Sequence, residues 1–172
     1  MTPSLRTATS ADGGPDVAAL RETYGSFPTG VIALAALRDG APVGIAASSF
    51  TSVSMSPPLV SVCIQLTSTT WPLLVDRPRL GLSVLSSTQD RACRQLSAKT
   101  GDRFAGLSWA ADEDGAVLLD GAVAWLNCTI DQTVRAGDHD VVLLRVQRHL
   151  TQPGPPLVFH ASSFHQLQPC EP

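Results

Sequence analysis

With 172 residues and a mass of 18.1 kDa, the chain is long enough for one domain that buries a full hydrophobic core. Apolar residues make up 44% of the chain and charged residues 16%, which excludes disorder over most of its length. Twelve Lys and Arg against fifteen Asp and Glu give a formal net charge of −3, which is the opposite of the basic balance of a nucleic-acid binder.

The N-terminal segment and the cysteines indicate the compartment. Residues 1–15 are rich in Thr, Ser, Ala and Gly, and we expect a flexible tail there, followed by a single domain over residues 16–168. The tail lacks the apolar segment of a secretory signal, and the longest apolar run, residues 31–37, is too short to span a bilayer. The four cysteines show no metal-ligand spacing, and Cys63 and Cys128 lie in apolar runs typical of buried thiols. We therefore expect a reduced, cytoplasmic protein without a membrane partner or a metal site.

The chain from residue 16 to residue 75 combines one helix with apolar strands. Asp16 is the expected N-cap of a helix that ends at Gly25. Two apolar runs flank Asp39-Gly40, a pair typical of a tight β-hairpin turn, and a third run alternates between its two faces. The predicted strands are residues 31–37, 42–47 and 59–66, the last with Val60, Val62 and Ile64 on one face. A short helix is expected over residues 70–75, with Trp71-Pro72 in its first turn.

The second half continues with strands and one more helix. That helix is expected to begin at Ser86-Ser87-Thr88 and to reach about residue 98, and residues 101–121 read as loop-rich. The predicted strands are residues 80–85, 123–134, 138–147 and 157–160. Six or seven strands that follow one another as hairpins predict a mainly β, antiparallel barrel with short helices, not a doubly wound sheet. No Gly-x-Gly-x-x-Gly or Walker motif indicates a nucleotide-binding loop of those kinds.

The densest polar cluster in the sequence is the segment over residues 48–58. It holds five Ser and one Thr between two apolar strands and ends in Pro57-Pro58. Hydroxyls and free backbone N–H groups at a strand end can cradle a phosphate without any cation. The alternative is an ordinary Ser-rich loop, which composition alone favours.

Two further segments are candidates for ligand contacts. His139, in Gly137-Asp138-His139, lies at the shoulder of a hairpin and could donate a hydrogen bond to a ligand, or it could be a half-exposed turn residue. Asp102-Arg103-Phe104 could place a ring and a guanidinium over a ligand, or could form a helix-end salt bridge beside a core Phe. No Gly-x-Ser-x-Gly, activated Cys or paired His motif predicts a hydrolytic nucleophile or a metal centre.

Taken in order, several runs of the sequence match one known family. The runs are Phe27-Pro28-Thr29-Gly30-Val31, Val43-Gly44-Ile45-Ala46-Ala47-Ser48-Ser49-Phe50-Thr51-Ser52-Val53-Ser54, Pro57-Pro58-Leu59-Val60, Gly101-Asp102-Arg103-Phe104-Ala105-Gly106, Gly137-Asp138-His139-Asp140 and Pro156-Leu157-Val158-Phe159-His160. With this order and spacing, residues 16–168 resemble the short flavin reductases, the reductase components of two-component flavin-dependent monooxygenases. Each run alone is a weak indication, whereas the ordered set is specific.

The resemblance implies an FMN-binding split β-barrel, antiparallel and Greek-key-like, that forms a homodimer with one flavin site per subunit near the interface. It implies that Thr29 and Gly30 begin a strand beside the isoalloxazine ring and that His139 faces the stacked nicotinamide and flavin. The other implied flavin contacts are Ala46, Ser48, Ser49, Ser52, Val53, Ser54, Ser83, Val84, Phe104 and Phe159. The implied reaction transfers a hydride from NADH or NADPH to FMN or FAD, and the reduced flavin diffuses to a partner monooxygenase.

Two positions depart from the family pattern, since many relatives carry Thr at position 46 and Asn at position 48, where this chain has Ala46 and Ser48. These departures bear on flavin affinity and on the choice between FMN and FAD. Because the Ser-rich segment contains neither Arg nor Lys, we expect flavin to be a weakly bound substrate. Two alternatives stay open: a flavin-binding oxidase or oxygenase that acts directly on an organic substrate, and a non-catalytic flavin-binding barrel.

Overall fold

The computed structural model of the chain describes residues 9–10 and 13–168. Most of the predicted tail over residues 1–15 lies outside this range, as does Cys170. The described residues form helices α1 (Val17–Gly25) and α2 (Asp90–Leu96) and a 3₁₀ turn at Trp71–Leu73. They form twelve strands: β1 (Thr29–Gly30), β2 (Ile32–Arg38), β3 (Ala41–Ala47), β4 (Thr51–Met55), β5 (Pro58–Gln65), β6 (Leu80–Val84), β7 (Trp109–Ala111), β8 (Val117–Leu119), β9 (Ala124–Ala136), β10 (His139–Thr151), β11 (Leu157–His160) and β12 (Ser163–Gln166).

Seven of these strands form one antiparallel sheet, in the order β3-β2-β6-β9-β10-β5-β4. Its two edge strands, β3 and β4, are joined by residues 48–50 alone. Such a connection spans at most about 15 Å at 3.8 Å per Cα step, whereas seven strands laid flat measure about 29 Å across. The sheet is therefore rolled so that β3 and β4 approach each other at this end. Its antiparallel strands confirm the antiparallel, mainly β prediction.

Local sequence explains the elements that were predicted well. Asp16 Oδ1 accepts a hydrogen bond from Ala19 N at 3.0 Å and caps α1, as expected. The turn between β2 and β3 places Asp39 at φ 52° and Gly40 at φ 79°, the left-handed backbone that a two-residue hairpin turn requires. Strand β5 buries Val60, Val62 and Ile64 on one face, as its alternation predicted.

The Ser-rich segment departs from its prediction, because Thr51–Met55 is not a loop but the edge strand β4, paired with β5. Its side chains are mostly exposed, so it has no apolar face that a hydrophobic pattern could show. The prediction also missed the mostly exposed strand β12. It missed the pair β7–β8 inside residues 101–121 as well, because strands of three residues are too short to show an alternating pattern.

Helix α2 is shorter than predicted. Its N-cap is Gln89, whereas the sequence pointed to Ser86-Ser87-Thr88 as the beginning of the helix. Ser86 lies in a β-bridge with Pro156, and its N–H donates to Gln89 Oε1 at 2.9 Å. Ser86 therefore pairs with the strand-like segment at Pro156, and the helix begins four residues later, at Asp90.

The core consists of two clusters on opposite sides of β2. Ile32, Leu34 and Ala36 pack inside the barrel with Val62, Leu82, Val142 and their neighbours. Val31, Ala33 and Ala35 face outward and are covered by α2, β8 and β11, through residues such as Leu96, Val117 and Leu157. Burial on both faces explains why the β2 segment is a continuous apolar run. No helix among residues 13–168 is long and apolar enough to cross a bilayer.

The described cysteines differ in accessibility, and we expect a thiol reagent to label Cys63 well before Cys93 or Cys128 in the folded protein. Cys128 is fully buried, as predicted, and desolvation raises its pKa to about 12. Burial also raises the pKa of Cys93, whereas Cys63 is only half-buried, which corrects its prediction as a buried thiol. The raised pKa of Cys128 also lowers stability as the pH rises from 9 toward 12, because the unfolded chain loses that proton first. Peptide mapping after brief exposure to the thiol reagent tests the predicted order of labelling, and equal labelling of Cys63 and Cys128 would contradict that order.

Candidate functional site

A cleft of about 930 Å³ lies between one end of the barrel, helix α2 and the C-terminal hairpin β11–β12. Its floor consists of the ends of β3 and β5, and residues 67–70 and His139 form one side. Helix α2 and the loop that follows it form the other side, with Phe159 and Phe164 of the hairpin beside them. This volume is large enough for a nucleotide-sized ligand.

Hydroxyl groups are concentrated on the floor and on one side of the cleft. They belong to Ser48, Ser49, Thr67, Ser68, Thr69 and Thr70. Ser49 Oγ accepts from Cys63 N at 2.9 Å and donates to Cys63 O at 3.1 Å, and Ser68 Oγ accepts from Trp71 N. The exposed hydroxyls of Ser48, Thr67 and Thr69 make no hydrogen bond to other described residues, so they are free for a ligand.

Three cations line the cleft, and no carboxylate is among the lining residues of the described chain. Arg103 is held in place, since its Nη1 donates to Thr70 Oγ1 at 2.6 Å and to Gly44 O at 3.3 Å. Arg94 and Lys99, the chain's single lysine, follow along α2 and its C-terminal loop. A positive cleft in a chain of net charge −3 favours a ligand that carries phosphate.

The prediction of a phosphate cradle without cations was made for the Ser-rich segment alone, and the cleft adds three cations from other parts of the chain to Ser48 and Ser49. Arg94 and Lys99 come from a distant part of the chain, and no local pattern in the sequence connects them with Ser48. Arg103 is the cation that the sequence had indicated, through the run Asp102-Arg103-Phe104.

His139 begins strand β10 and contributes its ring to the cleft. Its Nδ1 lies 2.7 Å from Oδ1 of Asp138, a contact that lowers the pKa of the Asp138 carboxyl through the hydrogen bond and the charge of the ring. A carboxylate only accepts, so Nδ1 carries the hydrogen. The other ring nitrogen, Nε2, is thereby left for a ligand in the cleft.

An aromatic wall closes the side of the C-terminal hairpin. The rings of Phe159 and Phe164 lie 5.4 Å apart, and the guanidinium of Arg94 lies 4.8 Å from the centre of the Phe164 ring. The hairpin is tied to the end of α1 by a hydrogen bond from Ala161 N to Gly25 O at 2.9 Å. The planes of the two rings are tilted by 57°, so the wall offers single aromatic faces and one cation against which a planar ring can pack.

The structure brings five of the predicted site residues together in the cleft: Ala46, Ser48, Ser49, His139 and Phe159. Thr29 and Gly30 pair with Phe159 and Val158, so they lie beside β11 in the same sheet, and neither lines the cleft. Ser52, Val53 and Ser54 lie on the edge strand β4, and Val84 is half-buried in β6; none of these lines the cleft.

Two other predicted residues lie in the core. The Ser83 hydroxyl is 1% exposed and accepts a hydrogen bond from Leu119 N at 3.0 Å. Phe104 is buried against Trp109, with 6.4 Å between the ring centres. Both side chains are therefore used by the fold, and neither lines the cleft.

Ser49→Ala is expected to lower the free energy of unfolding by about 1–2 kcal/mol. The reason is that the backbone N–H and C=O of Cys63 both lose their hydrogen bond to the Ser49 hydroxyl. Ser48→Ala is the matched control, since it removes an exposed hydroxyl with no partner among the described residues. Urea unfolding of the two variants measures the difference, and equal stability of both would refute this role of Ser49.

The chain belongs to the flavin reductase-like domain family, whose model matches residues 24–168. It is 31% identical over 157 residues to the reductase subunit of a flavin-dependent monooxygenase of Mycobacterium tuberculosis, covering 90% of this chain and 84% of that protein. It is 38% identical over 154 residues to the actinorhodin polyketide dimerase of Streptomyces coelicolor, covering 88% and 87%. Among solved structures, the NADH:FAD oxidoreductase of Streptomyces globisporus, in complex with NAD and FAD fragments, has a TM-score of 0.86 and 33% identity, over 95% of this chain and 98% of that one.

Proposed function

We propose that this chain uses NADH or NADPH to reduce FMN or FAD in the cleft and releases the reduced flavin to a separate monooxygenase. The observation that carries the proposal is the cleft itself, where free hydroxyls, three cations and an aromatic wall surround a volume of about 930 Å³ without a carboxylate. A nucleotide presents the complementary groups, namely phosphate, sugar hydroxyls and a flat ring.

The lining residues fit a flavin nucleotide. Arg103 is positioned for a phosphate, the hydroxyls of Ser48, Thr67 and Thr69 for the ribityl chain and phosphate, and Phe159 for a ring. When bound, a flavin supplies the acceptor for a hydride from the reduced nicotinamide. The protein then has to hold two rings in contact and to exclude water, and no side chain has to act as an acid or a base.

Flavin release is part of the proposal. Of the three cations that line the cleft, Arg103 is held by two hydrogen bonds, whereas Arg94 is exposed and lies 3.8 Å from Asp90. One fixed cation and several free hydroxyls suit a ligand that binds and leaves. The cations beyond Arg103 favour a second phosphate, so we expect FAD to be preferred over FMN, and NADH is expected from the Streptomyces globisporus relative.

A homodimer also belongs to the proposal. The edge strand β4, which pairs with β5 on one side only, exposes Val53 at 48% and Met55 at 91%, an unusual exposure for large apolar side chains on a sheet edge. A second copy packed there would cover both side chains. It would also bring Ser52, Val53 and Ser54, which lie away from the cleft of their own chain, into a shared site.

His139→Ala is expected to lower kcat/KM for the nicotinamide by about tenfold, while the Kd for flavin stays within about twofold of the wild type. The reason is the loss of the imidazole of His139, which lines the cleft and whose Nε2 is not occupied by a described residue. His149→Ala is the matched control, because His149 lies on the same strand outside the cleft. Unchanged nicotinamide kinetics in His139→Ala would remove His139 from the proposed machinery.

The experiment that tests the proposed function is the rate of nicotinamide oxidation by purified protein, with NADH or NADPH and with FMN, FAD or no added flavin. The proposal expects a rate that saturates with added flavin, with FAD and NADH as the better pair. A rate that does not respond to added flavin would contradict release and favour direct action on an organic substrate. Flavin binding without turnover would leave a non-catalytic barrel.

A further inference from the structure

The C-terminal hairpin carries two histidines on the face opposite the cleft. Strands β11 and β12 pair Phe159 with Phe164 and His160 with Ser163, so His160 and His165 lie diagonally across the strands on one face. Their ring centres are 5.7 Å apart, with 62° between the ring planes. Neither imidazole makes a hydrogen bond to another described residue, and His165 is exposed.

From this arrangement we propose that His160 and His165 form a binding site for a divalent transition-metal ion of the zinc, nickel or copper class. Imidazole nitrogens are preferred ligands of these ions. Two imidazoles that bind one tetrahedral zinc ion at about 2 Å place their ring centres about 5 Å apart. The observed 5.7 Å is within about 1 Å of that separation, and no described residue holds the exposed His165 ring by a hydrogen bond.

The hairpin fixes the backbone of both ligands before a metal arrives. Its two-residue turn consists of Ala161 at φ 47° and Ser162 at φ 63°, and the strands pair in register from Leu157 to Gln166. The Ala161 N–H is bound to Gly25 O at the end of α1. A preformed pair loses little conformational freedom on binding, which favours occupancy.

The site has two protein ligands, because no group of three or more His, Cys, Asp or Glu side chains suitable for a metal occurs within residues 13–168. Water completes the coordination shell, so we expect micromolar affinity instead of the tighter binding of a four-ligand structural site. Affinity follows the general order of these ions, with copper(II) above nickel and zinc.

Calorimetric titration of the untagged full-length protein with zinc chloride and with nickel chloride tests the site. The expected result is one ion per chain, with binding weakened about tenfold or more in both His160→Asn and His165→Asn. His149→Asn is the matched control and keeps wild-type affinity, because His149 lies alone on β10. Thermal unfolding without metal verifies that the variants are folded, and the exposed His165 makes that variant the safer of the two.

Absence of binding, or binding that either single variant leaves unchanged, would overturn the proposal. Cobalt(II) substitution separates this site from the thiols, since a sulfur-to-metal absorption band would place the ion on a cysteine and would also overturn it. A cobalt spectrum with nitrogen and oxygen ligands only, lost in His165→Asn, supports the two-histidine site.

Discussion

Gly81→Ala is expected to destabilise the protein more than the same substitution at any other described glycine, with a loss of about 3–5 kcal/mol in the free energy of unfolding. Gly81 lies in β6, beneath the short strand β8. A Cβ built there would lie 2.0 Å from Val117 O and 2.6 Å from Val117 C, closer than any real contact. These are backbone atoms that cannot rotate away, so β8 has to move and the cluster of Val117 and Leu119 has to open.

Gly25→Ala is the matched control for that variant. Its Cβ would meet its nearest neighbour, Ala161 Cα, at 3.8 Å, which is ordinary van der Waals contact, and its φ is not in the left-handed region. Urea unfolding is expected to show a change below about 1 kcal/mol for Gly25→Ala. If the two variants unfold at the same denaturant concentration, the close approach of β6 to β8 is not present in solution.

Arg103→Met is expected to weaken flavin binding by about 10- to 100-fold, the range for losing a charge-assisted hydrogen bond to phosphate. Arg103 is the best-fixed cation of the cleft, through its hydrogen bonds to Thr70 Oγ1 and Gly44 O. Methionine keeps most of the apolar length of the side chain and removes the charge. Quenching of flavin fluorescence, titrated with FMN and with FAD, measures the change.

The control for Arg103→Met is Arg91→Met, which makes the same change of charge on helix α2 at an exposed position outside the cleft. General electrostatic attraction predicts a similar small loss in both variants, whereas a specific phosphate contact predicts a large loss in Arg103→Met alone. Because Arg103 also binds backbone, its thermal unfolding has to be measured in the same experiment. A flavin Kd equal to that of Arg91→Met would exclude Arg103 as the phosphate ligand.

The elements with strong local patterns could be predicted from the sequence. Asp39-Gly40 predicted the turn of the β2–β3 hairpin, and the alternation of Val60, Val62 and Ile64 identified the buried face of β5. Strand β4 was not predicted, because polar side chains on an exposed edge strand have the same composition as a loop. Strand β4 pairs with β5 as a local hairpin, with Met55 opposite Pro58, yet the Ser-rich composition did not distinguish that hairpin from a loop.

The site was predicted less completely than the fold. Ser48, Ser49 and His139 could be singled out because each lies in a short, unusual run of residues. Arg94, Lys99 and Phe164 could not, because α2 and β12 meet the cleft only through tertiary packing, and an Arg on a short helix has no distinguishing neighbours in sequence. Ser83 and Phe104 show the reverse case, since the resemblance that implied them as flavin contacts does not show that the core uses their side chains.

An anaerobic titration tests most directly whether flavin is reduced in the cleft and then released. A small amount of protein is mixed with a large excess of FAD and NADH, and the flavin absorbance is followed without oxygen or a partner enzyme. We expect all of the FAD to be bleached, because each chain reduces and releases many flavin molecules in turn. Bleaching that stops at one flavin per chain, or that does not occur, would contradict it.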